Sequence, residues 1–526
     1  MRRIERVLLG ALMAAVAFVA RAPAQVWEVD NILKTQSPPS AGAVFGAAVA
    51  VGDFDGDHHP DLVVGAHLWS SSQGSVTFYR GGGGLRTLDF LQEVHGTGVE
   101  QYGVALAMGD FDGDGKDEVA IGVPKGLVDY NGGSVQAGYV VIAQFESGCQ
   151  CLTAAPVSPL SQLDTIGFSV PEAGDLFGFA LATGDFNDDG YADLAVGVPG
   201  QVVSNKAQAG VVQVFYGSVT GLRTDTAQGF KAGKSGVLGT PGVNDTMGYA
   251  LATGDFDKDG YDDLAIAAPA RTVGAAASAG EVHILRGSAA SGLQTVTGQQ
   301  LLSEASFGGT AETNDTFGAA LASGDFIHDR GSCNLGLVKC YADLAIGVPG
   351  KTLGGHAQAG EVVVGYGGAA GVSGSAATVL TQSGNGDSPE AGDQFGFSLA
   401  AGDIDSAFTD LAVGVPGESL QLGLQSDGLV QLFFGAPGGL NSGAPVQTLP
   451  QKAGFQIAPA ASFDGWGTAL AIADFDGDGA GDLVVSAPGK TVAANATAGA
   501  VEVLFGAMFA DGFQSGTTAG WSVTSP

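Results

Sequence analysis

A short acidic string recurs in this chain, with carboxylate or amide oxygens at its positions 1, 3 and 5 and a carboxylate at position 9. One copy reads DFDGDGKDE from Asp110. Such side chains, together with the carbonyl oxygen of position 7, would surround one divalent cation with oxygen ligands. Glycine between the acidic positions tolerates the positive φ of a tight loop. We therefore expect Ca²⁺ in these loops, because Mg²⁺ resists dehydration by a protein cage.

Five copies carry the complete ligand set, so about five calcium ions are expected. The predicted ligands are Asp53, Asp55, Asp57, His59 (carbonyl) and Asp61; Asp110, Asp112, Asp114, Lys116 (carbonyl) and Glu118; Asp185, Asn187, Asp189, Tyr191 (carbonyl) and Asp193; Asp255, Asp257, Asp259, Tyr261 (carbonyl) and Asp263; and Asp474, Asp476, Asp478, Ala480 (carbonyl) and Asp482. An EF-hand is excluded, because position 12 is Val or Ile instead of Glu. The alternative is that the strings are only polar turns.

Two further copies are degraded. The copy at Asp325 has Ile327 at position 3, and an insertion displaces its position 9 residue to Asp343. Cys333 and Cys340 bracket that insertion, and we expect a disulfide between them to pin the strand connection as a cation does elsewhere. Cys149 and Cys151 would then be left to form a small strained ring, although three pairings are possible in principle. The copy at Asp403 is shorter and is a weak site at most.

The elements that position these loops are short strands. An aromatic-Gly or Met-Gly pair precedes each copy, and its Gly always lies seven residues before the string. The pairs begin at Phe45, Tyr102, Phe177, Met247, Phe317, Phe395 and Trp466. In the fourth unit, strand-length runs cover Met247–Ala252, Leu264–Ala268, Glu281–Leu285 and about 295–302, with Gly, Pro and Asp between them. Four antiparallel strands per unit, repeated radially, predict an all-β, seven-bladed β-propeller.

The ends of the chain suggest how the ring closes. The seventh unit lacks a fourth strand, and the segment Val26–Lys34 can supply it. Six or eight blades remain possible if a degraded unit is misread. Residues 1–24 have a basic start, an apolar core and an A-x-A site, so a secretion signal peptide is expected. The propeller then covers 25–506, and a polar tail covers 507–526.

The composite pattern of aromatic-Gly, DxDxDG, DL and GxP resembles the FG-GAP repeat, which builds the N-terminal propeller of integrin α subunits. One copy of its last part is Asp193-Leu194 followed by Gly197-Val198-Pro199. The resemblance covers about 26–506. It implies a Ca²⁺-stabilised extracellular propeller, secreted or at the cell surface, that acts in adhesion or partner binding. We find no later stretch long and apolar enough to span a membrane.

A second group of residues concerns ligand binding. Basic residues recur just after the blade Pro on the face opposite the acidic loops, and they could form an anion-binding ring. They are Lys125, Arg271, Lys351 and Lys490. The alternative is that salt bridges between blades consume them, because acidic residues recur on the same face. Those acids are Glu100, Asp175, Asp245, Asp315, Asp393 and Asp464.

The net charge of the chain and its lack of catalytic motifs exclude several classes of function. A formal charge of −33 makes nucleic acid and anionic membranes poor partners. The seven His are scattered, and neither HExxH nor G-x-S-x-G occurs. We expect a secreted, monomeric protein that binds an extracellular protein or glycan without catalysis. A Ca²⁺-dependent polysaccharide lyase and an envelope component without a discrete ligand are the alternatives.

Overall fold

The computed structural model describes residues 28–33 and 40–506, except 83–86, 156–157, 166–167, 235, 290–291, 328–339, 383–387, 406–407, 420–423, 437, 441–445, 452–459 and 493. For 28–33 only the backbone is considered. The expected signal peptide, the polar tail and Cys333 lie outside the described residues.

Seven four-stranded antiparallel sheets form the blades of a β-propeller. The strands are β1 (Glu28–Leu33); β2 (Ala48–Gly52), β3 (Asp61–Ala66), β4 (Ser75–Gly81) and β5 (Leu88–His95) in blade 1; β6 (Leu106–Gly109), β7 (Glu118–Val123), β10 (Tyr139–Glu146) and β11 (Cys151–Ala154) in blade 2, with an extra hairpin of β8 (Leu127–Tyr130) and β9 (Gly133–Gln136); β12 (Ala180–Gly184), β13 (Asp193–Val198), β14 (Val211–Tyr216) and β15 (Arg223–Phe230) in blade 3; β16 (Leu251–Gly254), β17 (Asp263–Ala268), β18 (Glu281–Leu285) and β19 (Gln300–Leu302) in blade 4; β20 (Leu321–Gly324), β21 (Asp343–Val348), β22 (Glu361–Tyr366) and β23 (Ser373–Leu380) in blade 5; β24 (Ser398–Gly402), β25 (Asp410–Val415), β26 (Leu429–Phe433) and β27 (Gln447–Pro450) in blade 6; and β28 (Leu470–Ala473), β29 (Asp482–Ala487) and β30 (Ala500–Phe505) in blade 7. Helix is limited, in the described ranges, to single turns: α1 (Trp69–Ser72) and two 3-10 turns, Gln162–Asp164 and Glu304–Phe307.

The seven-bladed, all-β architecture predicted from the repeat is confirmed. The sheet of blade 7 has the order β1-β30-β29-β28. Strand β1 pairs antiparallel with β30, with Ile32 opposite Glu502 and Leu33 opposite Val501. A strand from near the N-terminus is therefore the fourth strand of the last blade.

The core lies between blades. Second strands such as β13 are buried along their whole length because a neighbouring blade covers each face. Side chains from two adjacent blades combine in each apolar cluster; Leu194 and Val196 of blade 3, for instance, pack with Val140 and Ile142 of blade 2. Burial of apolar area between blades is thus the main stabilising contribution to the ring.

The aromatic-Gly pair joins each blade to the one before it. Buried Phe45 donates its backbone N–H to Ala498 O of blade 7 (3.0 Å), which joins the first and last blades. Gly46 has a φ of 90°, and a Cβ there would lie 2.8 Å from Val501 Cγ2, so only Gly fits. Because the pair forms a turn, the inner strand begins later than predicted; in blade 4 it begins at Leu251 instead of Met247.

Candidate metal centres

The acidic loops connect the first and second strands of each blade, and we call the side of the ring that carries them the acidic-loop face. In blade 1, Asp53 Oδ1 accepts the N–H groups of Gly56 (2.7 Å) and Asp57 (3.1 Å), and Asp53 Oδ2 accepts that of His58 (2.7 Å). The position 1 carboxylate therefore winds the loop around itself. Gly56 and His58 have positive φ, as such winding requires.

The remaining loop carboxylates are oriented in the same way. The N–H of position 7 donates to position 5 Oδ1 in all five complete loops, at 2.9 to 3.1 Å. The position 7 residues are His59, Lys116, Tyr191, Tyr261 and Ala480. Each loop is thus a closed turn with its acidic oxygens directed inward.

The position 9 carboxylate is the buried base of the loop. Asp193 is fully buried, and its two oxygens accept the N–H groups of Phe186 (2.9 Å) and Gly217 (2.8 Å). It thereby ties the loop to the end of the third strand. Burial and the nearby Asp185 and Asp189 outweigh these hydrogen bonds and raise the pKa of Asp193 to about 8. A cation would relieve this penalty.

Position 9 keeps this structural role in the degraded blades as well. Asp343 Oδ2 accepts the N–H of Phe326 (2.8 Å), and its Oδ1 accepts that of Gly367 (2.9 Å). Asp410 makes the same pair of bonds to Ile404 and Gly435. Asp343 therefore occupies the position 9 place despite the insertion. Residue-spacing arguments missed this role, although the acidic residue that begins every second strand, followed by Leu in six blades and by Val in blade 2, signals it.

The clustering of oxygen donors fits a hard divalent cation. Asp53, Asp55 and Asp57 offer ligand atoms within 4.8 Å of one another. Equivalent clusters are Asp110, Asp112 and Glu118; Asp255, Asp257 and Asp259; and, in degraded blade 6, Asp403, Asp405 and Asp410. These donors are all carboxylate oxygens, which suit Ca²⁺ better than they suit softer metals.

Neighbouring acidic loops are also bonded to one another. The position 8 N–H of one blade donates to the position 1 carbonyl of the blade before it, as from Asp117 to Asp53 (2.8 Å) and from Ala192 to Asp110 (2.9 Å). The Asp117 carboxylate also accepts the N–H of Asp53 (2.9 Å). A change in one loop therefore acts directly on the next blade.

On the opposite face, the candidate anion-binding cations are turned inward. Lys351 Nζ lies 2.6 Å from Glu304 Oε2 and 3.1 Å from Asp315 Oδ2. Lys490, which is 1% exposed, lies 2.7 Å from Asp464 Oδ2. Arg271 pairs with Asp245 and Glu281. These three charges are thus directed at carboxylates instead of solvent, an arrangement that does not favour the predicted anion-binding ring.

Two of these ion pairs lie within one blade and not between blades, whereas Lys351 also reaches Glu304 in the turn that follows the last strand of blade 4. Lys490 and Asp464 belong to one blade, as do Arg271 and Asp245. The acid precedes the inner strand, where it also caps its own turn; Asp464 Oδ2, for example, accepts the N–H of Ala461 (2.7 Å). Lys125, the fourth cation, is half-buried beside His67. Burial lowers the pKa of the His67 imidazole, and the positive charge of Lys125 lowers it further.

The cysteines pair partly as expected. Cys149 and Cys151 form a disulfide with a Cα–Cα distance of 5.3 Å. Cys340 is also disulfide-bonded. Its expected partner, Cys333, is outside the described residues, so the Cys333–Cys340 bond stays a prediction.

Fold and loops together define a class: a seven-bladed propeller whose inner strand pairs lead into acidic, oxygen-rich loops. The FG-GAP repeat family matches residues 45–79, 102–142, 177–215, 247–285 and 466–504. These segments belong to blades 1, 2, 3, 4 and 7, the five with a complete acidic string. The chain therefore carries FG-GAP repeats, as the motifs predicted.

Curated relatives are integrin alpha chains. The chain is 34% identical over 232 residues to integrin alpha pat-2 of Caenorhabditis briggsae, which covers 43% of this chain and 18% of that protein. It is 30% identical over 230 residues to human integrin alpha-8, covering 42% and 19%. With integrin alpha-PS2 of Drosophila melanogaster it shares 32% over 227 residues, covering 42% and 15%. The match thus spans less than a fifth of each relative. Among the described residues, the structure has no helix of the length and apolarity needed to cross a membrane.

Proposed function

We propose that this chain is a secreted, monomeric, calcium-stabilised β-propeller that binds an extracellular protein or glycan through its opposite face, without catalysis. The observation that carries the calcium part is the convergence of three carboxylates in the loops of blades 1, 2 and 4, and the same acidic string recurs in blades 3 and 7. Without a counter-ion, such a loop opposes folding through burial and like-charge repulsion. A bound divalent cation converts the same oxygens into a cross-link between the first and second strands.

We place the partner on the opposite face because that face exposes apolar side chains in several loops and does not carry the predicted calcium sites. Exposed residues recur in the loops that lead into the inner strands, at Val99, Val243 and Phe463, and at Leu127 in the β8–β9 hairpin. Exposed apolar groups at repeated positions are typical of interaction surfaces. The resemblance to integrin α propellers, which implies adhesion, supports the same class of function.

Metal uptake is tested by adding CaCl₂ to chelator-stripped protein and counting bound ions after equilibrium dialysis. About five ions per chain are expected. The absence of bound calcium at millimolar concentration would refute the calcium part of the proposal. Retention of other divalent ions in place of calcium would also contradict it.

Partner binding is tested on a glycan and extracellular-protein array in Ca²⁺ and in EGTA. A hit should weaken in the double variant V243S/F463S, which alters only the opposite face. The matched control is Val219→Ser, since Val219 is even more exposed than Val243 and Phe463 but follows the third strand of blade 3, on the acidic-loop face. Equal binding by all three proteins would rule out the opposite face as the binding surface. Release of unsaturated sugars from an acidic polysaccharide would favour the lyase alternative instead.

A further inference from the structure

One side-chain position beside the acidic loops differs between blades in charge. It is the residue before the Gly whose N–H binds the position 9 carboxylate. Blades 1 and 4 have Arg80 and Arg286 there, whereas blades 3 and 7 have Tyr216 and Phe505. We call this position the rim position, because the side chain extends from the end of the third strand towards the loop.

Both arginines form ion pairs with the position 3 carboxylate of their own loop. Arg80 Nε lies 2.6 Å from Asp55 Oδ2. Arg286 Nη1 pairs with Asp257 Oδ2. The two carboxylate side chains are only 7% and 4% exposed, so water screens these pairs weakly. Each guanidinium thus contacts a predicted calcium ligand.

Further contacts hold the guanidinium groups in place. Arg80 also donates from Nη2 to Gln150 Oε1 (3.1 Å), and its guanidinium carbon lies 5.2 Å from the centre of the Phe145 ring. Arg286 donates from Nε to Gly298 O (3.0 Å). These contacts come from outside the acidic loops. The positive charges are therefore built into the blades and do not depend on a flexible surface side chain.

Charge counts separate four of the five complete loops, those of blades 1, 3, 4 and 7, into two kinds. Blade 7 has four loop carboxylates and an apolar rim residue, Phe505. Blades 1 and 4 also have four carboxylates among the predicted ligands, but the rim arginine cancels one charge. Blade 3 reaches the same reduced charge by another route, with Asn187 at position 3 and Tyr216 at the rim. Calcium affinity in oxygen cages follows the number of charged ligands, so this difference has a functional consequence.

We propose that Arg80 and Arg286 act as fixed internal cations that weaken calcium binding in blades 1 and 4 and hold these two loops together when calcium is absent. The inference rests on the proposed calcium binding. It makes blade 7 a tight site and blades 1 and 4 sites that respond to changes in calcium concentration. A guanidinium competes with Ca²⁺ because both positive charges are drawn to the same carboxylate and repel each other.

Two effects of opposite sign follow from removing the guanidinium. R80Q and R286Q should each tighten calcium binding at one site by on the order of tenfold. The same substitutions should lower the melting temperature of the metal-free protein, because the position 3 carboxylate loses the guanidinium paired with it. Charge-conserving R80K should stay near wild type in both measurements. A merely structural arginine would lower stability without tightening any site.

The experiment titrates CaCl₂ into chelator-stripped wild type, R80Q, R286Q, the double variant and R80K by isothermal titration calorimetry, with melting curves of the metal-free proteins. Arg271→Gln is the control, since Arg271 makes comparable ion pairs on the opposite face. Each single variant should move one ion from the weaker class of sites to the tighter class, whereas the control should move none. Unchanged or weaker binding in R80Q and R286Q would overturn the inference while wild type still takes up calcium. If wild type takes up none, it is the proposed function that fails.

Should R80Q not fold, Asn187→Asp tests the same rule in blade 3. This substitution adds a carboxylate to a loop without a rim arginine, so its site should become tighter by a similar factor. No gain in affinity would contradict the charge-count argument independently of Arg80.

Discussion

The acidic-loop face and the opposite face both bury carboxylates, but they balance the charge differently. In the loops, Asp193 and its equivalents are held by backbone N–H groups and face other carboxylates. On the opposite face, buried Asp464 and Asp315 each meet a lysine of the same blade. In blades 5 and 7 the opposite face thus supplies its own counter-charge, whereas the acidic loops cluster carboxylates that we propose a cation from solution neutralises. In these two blades, removal of calcium should therefore affect stability through the acidic-loop face and not through the lysine ion pairs.

Removing calcium is expected to have the largest effect. A ligand that binds only the folded state contributes about 2.7 kcal/mol per site at a concentration of one hundred times Kd. Five sites of this kind give a loss on the order of 10 kcal/mol when EGTA replaces Ca²⁺. The measurement is urea unfolding, or thermal melting, in the two buffers. An unchanged transition would mean that the acidic-loop face needs no external counter-ion.

Lys490→Met should lower the free energy of unfolding by less than calcium removal does, and by the same amount in Ca²⁺ and in EGTA. The substitution leaves Asp464 buried without its cation, which typically costs about 3–5 kcal/mol. Unfolding free energies in Ca²⁺ and in EGTA measure it. Lys206→Met, at an exposed position, is the control and should change little. If the loss from Lys490→Met occurs only in EGTA, the two faces are not independent and the comparison fails.

Asn substitutions at position 9 separate the two roles of that carboxylate. In Asp193→Asn and Asp343→Asn the new amide NH₂ faces one of the two backbone N–H groups that donate to the carboxylate, so that hydrogen bond is lost. The free energy of unfolding should therefore fall by about 1–3 kcal/mol in either buffer. Only Asp193 belongs to a complete loop, so D193N should lose about 2.7 kcal/mol more in Ca²⁺ than in EGTA. Paired unfolding curves of the two variants give this difference. An equal calcium-dependent loss in D343N would assign a cation to blade 5 as well.

Much of the fold could be predicted from the sequence, since the signals are local and repeated seven times. Each aromatic-Gly pair and acidic string lies within about twenty residues of the strands it connects, so spacing alone indicates the blades. The geometry of the predicted metal loops follows from the same spacing, because positions 1, 5 and 7 are joined by short-range hydrogen bonds, as around Asp53 and Asp57.

Other features could not be predicted because their partners are far apart in the chain. Asp193 binds Gly217 across the third strand, and Lys351 meets Glu304 from 47 residues away. The pairing of Arg80 with Asp55 depends on where a third strand ends, which composition does not reveal. Local patterns therefore predict which residues form a loop, but not which distant side chain balances its charge.

A pH-dependent effect is expected at His283, on the third strand of blade 4 beside the opposite face. Its ring is buried, its Nδ1 has no hydrogen-bond partner within the described ranges, and Arg271 lies nearby with its ion-pair partner Glu281. Burial and Arg271 lower the pKa of His283 to about 4. The unfolded chain takes up a proton below about 6.5 and the folded state does not. The contribution of His283 to stability is therefore complete above pH 6.5 and is lost as the pH falls towards 4.

His283→Gln tests this, because Gln213 and Gln431 occupy the same strand position in blades 3 and 6. Using metal-stripped protein, the difference in unfolding free energy between wild type and H283Q should shift by about 3 kcal/mol against wild type from pH 7 to pH 4. Taking the difference cancels the opposite pH trend of the loop carboxylates, whose raised pKa values favour the folded state in acid. His356→Gln, at an exposed position, should show no such shift. A constant difference for H283Q would show that the opposite face of blade 4 accommodates the protonated imidazole, and so balances more charge than its ion pairs indicate.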